Sequence, residues 1–374
     1  MIRTRIIALL ILSSAALCQT DGVSQARFDH LRHGINASEW YAQRSNYSPD
    51  FLSTYTTRDD IVLMRRLGFD HVRLSIDPQP LWREGHADSL REEHLRRMDA
   101  VVDDMLAQDL AVIIDIHPSS EFKRRLVTDN REAVSQFADF WRALAQHYAS
   151  RDSERIFLEV MNEPEFEDDA RWYGVQGRLV DAIRQGAPKN TILVAGAKWS
   201  DLYDLLAMQP YADRNLIYNF HFYDPHIFTH QGATWGVNSW HHLHDIPYPS
   251  TLEAVRAVLS EATDPKSQYN LLQYGLDRWN TDRVRADMAF VADWAKRHKV
   301  RLTCNEFGVF REHSNAQSRA AWIRDVRTAF EENGIGWTMW DYRGGFGVVT
   351  KQPDGTSLPD TAIVNALGLK PAQK

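Results

Sequence analysis

Short apolar runs rich in β-branched residues recur along the chain, and longer amphipathic stretches separate most of them. The strand-like runs are residues 33–36, 71–76, 111–117, 156–162, 191–197, 216–223, 301–308 and 336–342. Apolar residues at three- and four-residue spacing predict helices most clearly over residues 90–106, 131–148, 171–185, 281–298 and 318–332. Several of the strand-like runs are apolar on both faces, which is typical of buried parallel strands.

Eight strand-like runs, most of them followed by a helical stretch, predict an α/β fold with a parallel sheet and helices outside it. Eight such repeats favour a (β/α)8 TIM barrel, formed as a single domain with extended βα loops. An open doubly wound sheet is the alternative, and it would need a glycine-rich phosphate loop after its first strand. Residues 34–37 (GINA) have only one glycine, so we predict the barrel.

Residues 1–18 have the pattern of an export signal. A basic start over residues 1–5 precedes an uninterrupted apolar run over residues 6–12 and small residues that lead to Cys18. This run is too short to span a membrane and is typical of a cleaved signal peptide. We expect cleavage after Cys18 and a folded domain over residues 19–374. The expected location is the periplasm or the medium. Since Cys304 is then the one cysteine left, we expect no internal disulfide. A lipid anchor on Cys18 is the weaker alternative, because Leu17 is bulkier than such sites prefer.

Composition limits the classes of partner. Among 374 residues, 43 Lys and Arg stand against 50 Asp and Glu, a formal net charge of −7. This is not the basic excess typical of nucleic-acid-binding proteins. The chain has 12 Trp, 13 Tyr and 16 Phe, and exposed rings of this kind offer flat contact surfaces. We expect no nucleic-acid partner, no membrane span and no cofactor, and we expect a monomer.

In a barrel of this type, the active site lies at the carboxyl ends of the strands. The polar and aromatic residues predicted at those ends are Arg73, His117, Asn162, Glu163, His221, Tyr223, Glu306 and Trp340. Glu163 and Glu306 end the fourth and seventh strands, which lie across the mouth of the barrel from each other. Two carboxyl groups about 5–5.5 Å apart are what retaining glycoside hydrolysis requires. The alternative is that two unrelated acids end two strands.

The surroundings of both glutamates carry a family resemblance. Residues 157–164 (FLEVMNEP) resemble the acid/base strand of the retaining barrel glycosidases of clan A, and residues 304–308 (CNEFG) resemble their nucleophile strand. The eight residues named above, in that chain order, resemble the active-site set of glycoside hydrolase family 5, the cellulase family. The resemblance extends from the second strand to the eighth.

The resemblance implies a role for each of these side chains. Glu163 would be the general acid and then the general base, and Glu306 would be the nucleophile. Arg73 and Tyr223 would hold Glu306, and Asn162 would bind the sugar 2-hydroxyl. The remaining roles are those of His117 and His221, which would orient hydroxyls and the acid/base carboxyl, and of Trp340, which would form a stacking floor for the sugar.

Aromatic residues in the loops form a second set of candidates. Trp40, Trp199 and Trp235 follow the first, fifth and sixth strands, and each is a sugar-stacking platform or, equally, a ring that packs its own loop. The loop over residues 224–250 is unusually long for a βα loop, and such loops are often functional. We expect it to form a wall at one end of the cleft.

Two other chemistries receive less support. Six histidines lie between residues 221 and 244, but no carboxylate or cysteine joins them at ligand spacing and no His-Glu-x-x-His helix is present, so we predict no metal. No Gly-x-Ser-x-Gly motif indicates a serine hydrolase. We predict that Cys304 packs in the interior.

The resemblance implies a retaining hydrolase of a β-linked polysaccharide or oligosaccharide. A β-glucan cut within the chain, as by an endo-β-1,4-glucanase, is the expected substrate. A β-mannanase, or an exo-acting β-glucosidase or β-1,3-glucanase, is the alternative within the family. A barrel that binds carbohydrate without cleaving it is the alternative from another class.

Overall fold

A computed structural model describes residues 22–82, 86, 89–128 and 131–370. Eight parallel strands follow one another in chain order around a closed barrel, and the eighth pairs with the first. They are β1 (His33–Tyr41), β2 (His71–Ile76), β3 (Ala111–Ile116), β4 (Ile156–Glu159), β5 (Ile192–Ala195), β6 (Leu216–Phe222), β7 (Arg301–Phe307) and β8 (Gly336–Met339). A short antiparallel pair, β9 (Val349–Lys351) and β10 (Ser357–Pro359), follows the barrel. The predicted (β/α)8 fold is confirmed.

Helices cover the outside of the barrel. They are α1 (Gln25–Asp29), α2 (Pro49–Tyr55), α3 (Arg58–Leu67), α4 (Pro78–Leu81), α5 (Glu92–Ala107), α6 (Ser120–Val127), α7 (Arg131–Tyr148), α8 (Asp169–Gly186), α9 (Ala197–Ser200), α10 (Leu202–Ala207), α11 (His226–Thr229), α12 (Arg256–Glu261), α13 (Pro265–Asp277), α14 (Thr281–His298), α15 (Ala316–Glu332) and α16 (Thr361–Ala366). A 3-10 turn covers Asn238–Trp240. The five helices predicted from periodicity are α5, α7, α8, α14 and α15, each confirmed to within two residues at either end.

The inward-facing positions of the strands change from apolar to polar along the barrel axis. At the amino end, one apolar cluster contains Phe28 of α1 with Ala111, Ile113, Phe157, Leu193 and Ile217 of the strands. Two residues further along the same strand faces lie the buried polar side chains Asp115, Glu159 and Asn219. Because side chains alternate along a strand, this order places the polar groups at the carboxyl end of the barrel.

Three strands differ from their predicted ends by three residues or more. β1 runs past residue 36 to Tyr41, through an irregularity in its pairing with β2 at which Glu39 has a φ of 55°. β4 and β8 each end three residues before their predicted ends, at Glu159 and Met339. The chain leaves the β4 ladder there and turns through a left-handed conformation at Glu163 (φ 44°).

The long loop over residues 224–250 follows β6 and therefore lies at the carboxyl end of the barrel. Its backbone is held by internal hydrogen bonds, such as the bond from the Gly232 amide to the Trp240 carbonyl and that from the Ile246 amide to Gln231 Oε1, both 2.8 Å. The expectation that this loop forms one wall of the cleft is confirmed, because His230 and Trp235 line the pocket at this end.

The predicted signal segment, residues 1–18, lies outside the described residues. Within the described ranges, no helix combines the length and the apolar character needed to cross a membrane. Cys304 is fully buried in β7, as predicted, and burial raises the pKa of its thiol well above the ordinary value.

Candidate active site

A pocket of about 450 Å³ opens at the carboxyl ends of the barrel strands. Six of the predicted site residues line it: His117, Glu163, Tyr223, Trp235, Glu306 and Trp340. A larger cavity of about 670 Å³ between the loops after β1 and β2 contains none of the predicted site residues. The smaller pocket is therefore the one that combines a cavity with candidate chemistry.

Arg73 lies beneath the pocket, in the centre of the barrel, and is fully buried. Its Nη1 donates to Glu306 Oε1 at 2.7 Å and to Asn36 Oδ1 at 2.9 Å, and its Nη2 donates to Asn162 Oδ1 at 2.9 Å. Burial alone would lower the pKa of Arg73, but the surrounding carboxylates, Asp115 first among them, raise it well above the ordinary value. The guanidinium therefore stays charged under the carboxylate of Glu306.

Both carboxylate oxygens of Glu306 accept hydrogen bonds from the protein. Arg73 donates to Oε1, and the Tyr223 hydroxyl donates to Oε2 at 3.0 Å. Burial raises the pKa of Tyr223 well above its ordinary value, so this hydroxyl remains a donor across the working range of pH. Two such donors stabilise the carboxylate anion and fix its orientation.

Glu163 has a different environment. It is partly exposed to the pocket, with 28% of its side chain accessible, and Nδ1 of His221 lies 3.0 Å from its Oε1. Burial lowers the pKa of His221 to about 4, so the ring is neutral near pH 7 and we assign its proton to Nδ1, which donates to Glu163. One oxygen of Glu163 and one of Glu306 lie within 4.8 Å of each other. This spacing fits direct attack by one carboxylate and leaves no room for the water that an inverting pair places between its acids.

A hydrogen-bonded chain orients Asn162. Its Nδ2 donates to His117 Nε2 at 3.1 Å, so His117 carries its proton on Nδ1, which donates to Asp115 Oδ2 at 3.0 Å. Burial lowers the pKa of His117 to about 3, which keeps the ring neutral, and burial raises the pKa of Asp115 to about 6. Both ring nitrogens of His117 are thus engaged by the protein. Its contribution to the pocket is the ring itself, which lies 5.8 Å from the Trp340 ring at an angle of 19°.

Sequence analysis missed several residues of the site. Beneath the pocket they are Asn36, Asp115, Glu159 and Asn305, and in its lining they are Glu39, Gln43, His230, Phe310, Asp341 and Phe346. A signal existed for Asp115 and Glu159, since each is a lone acid within a strand buried on both faces, and a buried charge needs a partner. The lining residues come from loops, whose course the hydrophobic pattern does not predict.

Trp40 is not a substrate platform, and that prediction is wrong. Because β1 continues past its predicted end, Trp40 belongs to the strand and turns into the core, where it is 1% exposed. Its Nε1 donates to the carbonyl of Leu52 in α2 at 2.8 Å, and its ring packs 5.1 Å from that of Tyr41. The ring therefore joins β1 to α2.

Trp235 and Trp199 are exposed, but only Trp235 lines the pocket. Trp235 is 47% exposed and meets the ring of Phe310 edge-on at 5.0 Å. Trp199 is 52% exposed and stands at the end of β5, outside the pocket lining, in a turn whose residues 198–200 are all left-handed. Its amide donates to the carbonyl of Pro164 at 2.8 Å, directly beside Glu163.

The histidines of the long loop do not converge on one point. His226 and His230 stack on each other at 5.2 Å, and His226 stacks on Trp240 at 5.8 Å. Among the described residues, the three side chains whose ligand atoms come close enough for a metal are Glu163, His221 and Glu306. There the protein's own donors already engage the carboxylate oxygens, an arrangement that suits proton transfer better than cation binding.

Comparison with known proteins places this geometry in a family. Residues 33–345 match the family described as Cellulase (glycosyl hydrolase family 5). The chain is 27% identical to Endoglucanase C of Acetivibrio thermocellus over 318 residues, which are 84% of this chain and 91% of that protein. It is 26% identical over 365 residues to Endoglucanase 3 of Fibrobacter succinogenes, covering 93% of this chain and 55% of the relative.

Solved structures agree on the fold. The chain superimposes on the endoglucanase Cel5A of Thermotoga maritima with a TM-score of 0.73 and 23% identity, covering 91% of this chain and 98% of the other. It superimposes equally well on the cellulose synthase subunit Z of Clostridioides difficile, with a TM-score of 0.74, 22% identity and coverage of 90% and 99%. The match over residues 33–345 takes in every barrel strand and both glutamates of the pocket. The chain therefore belongs to glycosyl hydrolase family 5, the cellulase family, and is an O-glycosyl hydrolase.

Proposed function

We propose that this protein is an endo-acting β-1,4-glucanase that works by double displacement, with Glu163 as acid/base and Glu306 as nucleophile. The observation that carries the proposal is the asymmetry of the two carboxyls, of which one oxygen each lies within 4.8 Å of the other. Glu306 is nearly buried and held by Arg73 and Tyr223, whereas Glu163 is partly open to the pocket and bonded to a neutral histidine. The first environment suits a fixed anion, and the second suits a group that gains and loses a proton.

In the first step, Glu306 attacks the anomeric carbon while Glu163 gives its proton to the glycosidic oxygen. The carbon–oxygen bond to the leaving sugar breaks, and a glycosyl ester forms on Glu306. Asn162 supports this step, because one hydrogen of its Nδ2 is used by His117 and the other remains to donate to the sugar 2-hydroxyl. Such a bond strengthens as the oxocarbenium-like transition state forms.

In the second step, Glu163 is a carboxylate and takes a proton from water, whose oxygen attacks the anomeric carbon. The ester bond breaks and Glu306 leaves with its electron pair, so the product keeps the β configuration. Arg73 and Tyr223 stabilise the departing carboxylate in this step as they do in the resting enzyme. The flat ring of Trp340 forms the floor on which the sugar stacks.

The endo-glucanase assignment rests on relatives whose names specify endoglucanases. A second candidate, action on short oligosaccharides, is favoured by the wall that residues 224–250 form and by a relative named Cellodextrinase A from Ruminococcus flavefaciens. That relative is 26% identical over 313 residues, which are 81% of this chain and 82% of the relative. Trp235 in this wall lines the pocket, and we expect it to stack on a sugar in either case.

The test is reducing-sugar release by residues 19–374 and by the Glu306→Gln variant on soluble cellulose, mixed-linkage glucan, β-1,3-glucan and mannan. We expect turnover of the β-1,4-linked glucans and its loss in the variant. An endo enzyme lowers viscosity long before reducing ends accumulate, whereas an oligosaccharide-cleaving enzyme leaves viscosity almost unchanged. Release from mannan alone would support the mannanase alternative, and binding without turnover would show a carbohydrate-binding barrel.

We further propose that the protein is exported and acts as a monomer on polysaccharide outside the cytoplasm. The support is the basic-then-apolar pattern of residues 1–12 and the small residues that follow it. Amino-terminal sequencing of the exported protein should begin at Gln19. A lipid-modified cysteine at position 18 would instead support membrane anchoring, and light scattering tests the monomer.

A further inference from the structure

The Arg73 guanidinium has five N–H groups, and every one has an acceptor. Nε and one hydrogen of Nη2 form a two-point pair with Glu159, at 2.8 Å to Oε2 and 2.9 Å to Oε1. The other hydrogen of Nη2 goes to Asn162, and the two of Nη1 go to Asn36 and Glu306. One edge of the guanidinium thus bonds to Glu159, and its other N–H groups bond to Asn162, Asn36 and Glu306. Asp115 is a further buried carboxylate, with Oδ2 at 3.1 Å from Nη2.

A two-point pair between a guanidinium and a carboxylate fixes the plane of both groups. Glu159 is itself held, because Asn305 Nδ2 donates to its Oε2 at 2.7 Å. The Asn305 carbonyl in turn accepts from Asn36 Nδ2 at 2.9 Å. These contacts join β1, β2, β4 and β7 in one ring beneath the pocket. Within this ring, Glu159 is the carboxylate that forms two hydrogen bonds with the guanidinium and so fixes the plane in which Arg73 reaches Glu306.

Glu159 does not touch the substrate. It is 1% exposed and is absent from the pocket lining, and it lies in β4 four residues before Glu163. Keeping a second carboxylate here is costly, since burial raises the pKa of Glu159 above its ordinary value in spite of Arg73. An apolar residue would fill the same volume without that cost, which indicates that the carboxylate has a task of its own.

We propose that Glu159 is a positioning residue for glycoside hydrolysis, which acts through Arg73 to hold the carboxylate of Glu306 and the amide of Asn162 in their reacting orientation. This inference rests on the proposed function, because it assigns Glu159 to the reaction of that pocket. It predicts that Glu159 affects the chemical step and leaves substrate binding almost unchanged, since Glu159 is not among the residues that line the pocket.

The test is the Glu159→Gln variant. Its side chain has the shape of glutamate, but its NH2 group faces an Arg73 N–H, so one of the two hydrogen bonds of the pair is lost. We expect kcat to fall roughly 10- to 100-fold, the scale of a misplaced reacting group, with KM within about threefold of the wild type. The fall in kcat should also be seen with dinitrophenyl β-cellobioside. The leaving group of this substrate departs without help from the acid Glu163, so a defect in the nucleophile Glu306 still slows its cleavage. The matched control is Glu132→Gln on the exposed surface of α7, which should keep wild-type kcat.

Active-site titration by the burst of dinitrophenolate separates positioning from folding. A reduced kcat per titrated site supports the proposal, whereas a normal kcat per site with fewer sites overturns it and leaves Glu159 structural. Should the Gln variant not fold, Asn305→Ala removes only the support of Glu159, and it should lower kcat several-fold with KM unchanged. If the wild type is active, Glu306→Gln is inactive and Glu159→Gln has the kcat of the wild type, this inference is refuted and the proposed function stands. If the wild type itself is inactive, the proposed function is refuted.

Discussion

The hydroxyl of Tyr223 offers a sharp test of how Glu306 is held. Replacing Tyr223 with Phe removes one oxygen and keeps the ring, which packs 5.9 Å from the Phe346 ring and 5.1 Å from the His230 ring. The lost interaction is one hydrogen bond of 3.0 Å to a carboxylate in a buried site. The change therefore isolates one of the two donors of Glu306.

The magnitude follows from the chemistry of that bond. A hydrogen bond to a charged group contributes about 1.5–3 kcal/mol. Each 1.36 kcal/mol of lost transition-state stabilisation is tenfold in rate, so kcat/KM should fall roughly 10- to 100-fold. The alkaline limb of the pH profile should be the same in the wild type and in Tyr223→Phe, because burial keeps the Tyr223 pKa well above its ordinary value and the hydroxyl stays protonated.

The assay is kcat/KM on an aryl β-cellobioside together with the free energy of unfolding in urea. Tyr248→Phe is the matched control, since Tyr248 is also buried and donates to a carboxylate, Asp325 Oδ2, at 3.1 Å outside the pocket. It should lose stability and keep its activity. A Tyr223→Phe variant within twofold of the wild type would refute the reasoning, because Arg73 alone would then hold Glu306.

Two further predictions separate core from pocket and give the pH dependence of stability. Trp40→Ala should lower the free energy of unfolding by about 3–5 kcal/mol and leave kcat/KM per folded molecule unchanged. Trp235→Ala should raise KM several-fold with little change in the free energy of unfolding. The reverse result would show that Trp40, and not Trp235, contacts the substrate. Burial lowers the pKa of His71 to about 3, whereas the ring has its ordinary pKa of about 6.5 in the unfolded chain. As the pH falls below about 6.5, the unfolded chain takes up a proton that the folded protein does not. The free energy of unfolding therefore decreases by up to about 1.4 kcal/mol per pH unit for this group. The free energy of unfolding, measured in urea from pH 7 to 4, should fall less steeply with decreasing pH in His71→Gln than in the wild type. An equal pH dependence in the two proteins would contradict the low pKa of His71.

The barrel and the two glutamates could be predicted from the sequence because the signals that specify them are local. Apolar runs buried on both faces, alternating with helical periodicity, are visible in one dimension, and polar residues at the ends of those runs converge in a barrel by topology alone. The pairing of Glu163 with Glu306 follows from the two strands on which they stand. No detail of packing was needed for these predictions.

The errors lie where three-dimensional contacts decide the outcome. The sequence predicts Trp40 in a loop, because the first strand-like run ends at residue 36, but the strand passes through an irregularity and buries the ring. The sequence shows the acid of Glu159, but only the fold shows that its partner is Arg73. Likewise, only the fold shows that Asn162 bonds to Nε2 of His117 and Asp115 to its Nδ1. The hydroxyl-orienting role expected for His117 stays a prediction.

The central claim is that Glu306 forms a covalent bond with the sugar. The most direct measurement is mass spectrometry of the protein after reaction with a 2-deoxy-2-fluoro β-cellobioside that carries a dinitrophenyl leaving group, followed by peptide mapping. If Glu306 is the nucleophile, each chain should gain one glycosyl unit, located on Glu306, and the Glu306→Gln variant should gain none. An adduct on Glu163 or another residue, or hydrolysis of β-glucan that yields the α-configured product without any adduct, would contradict it.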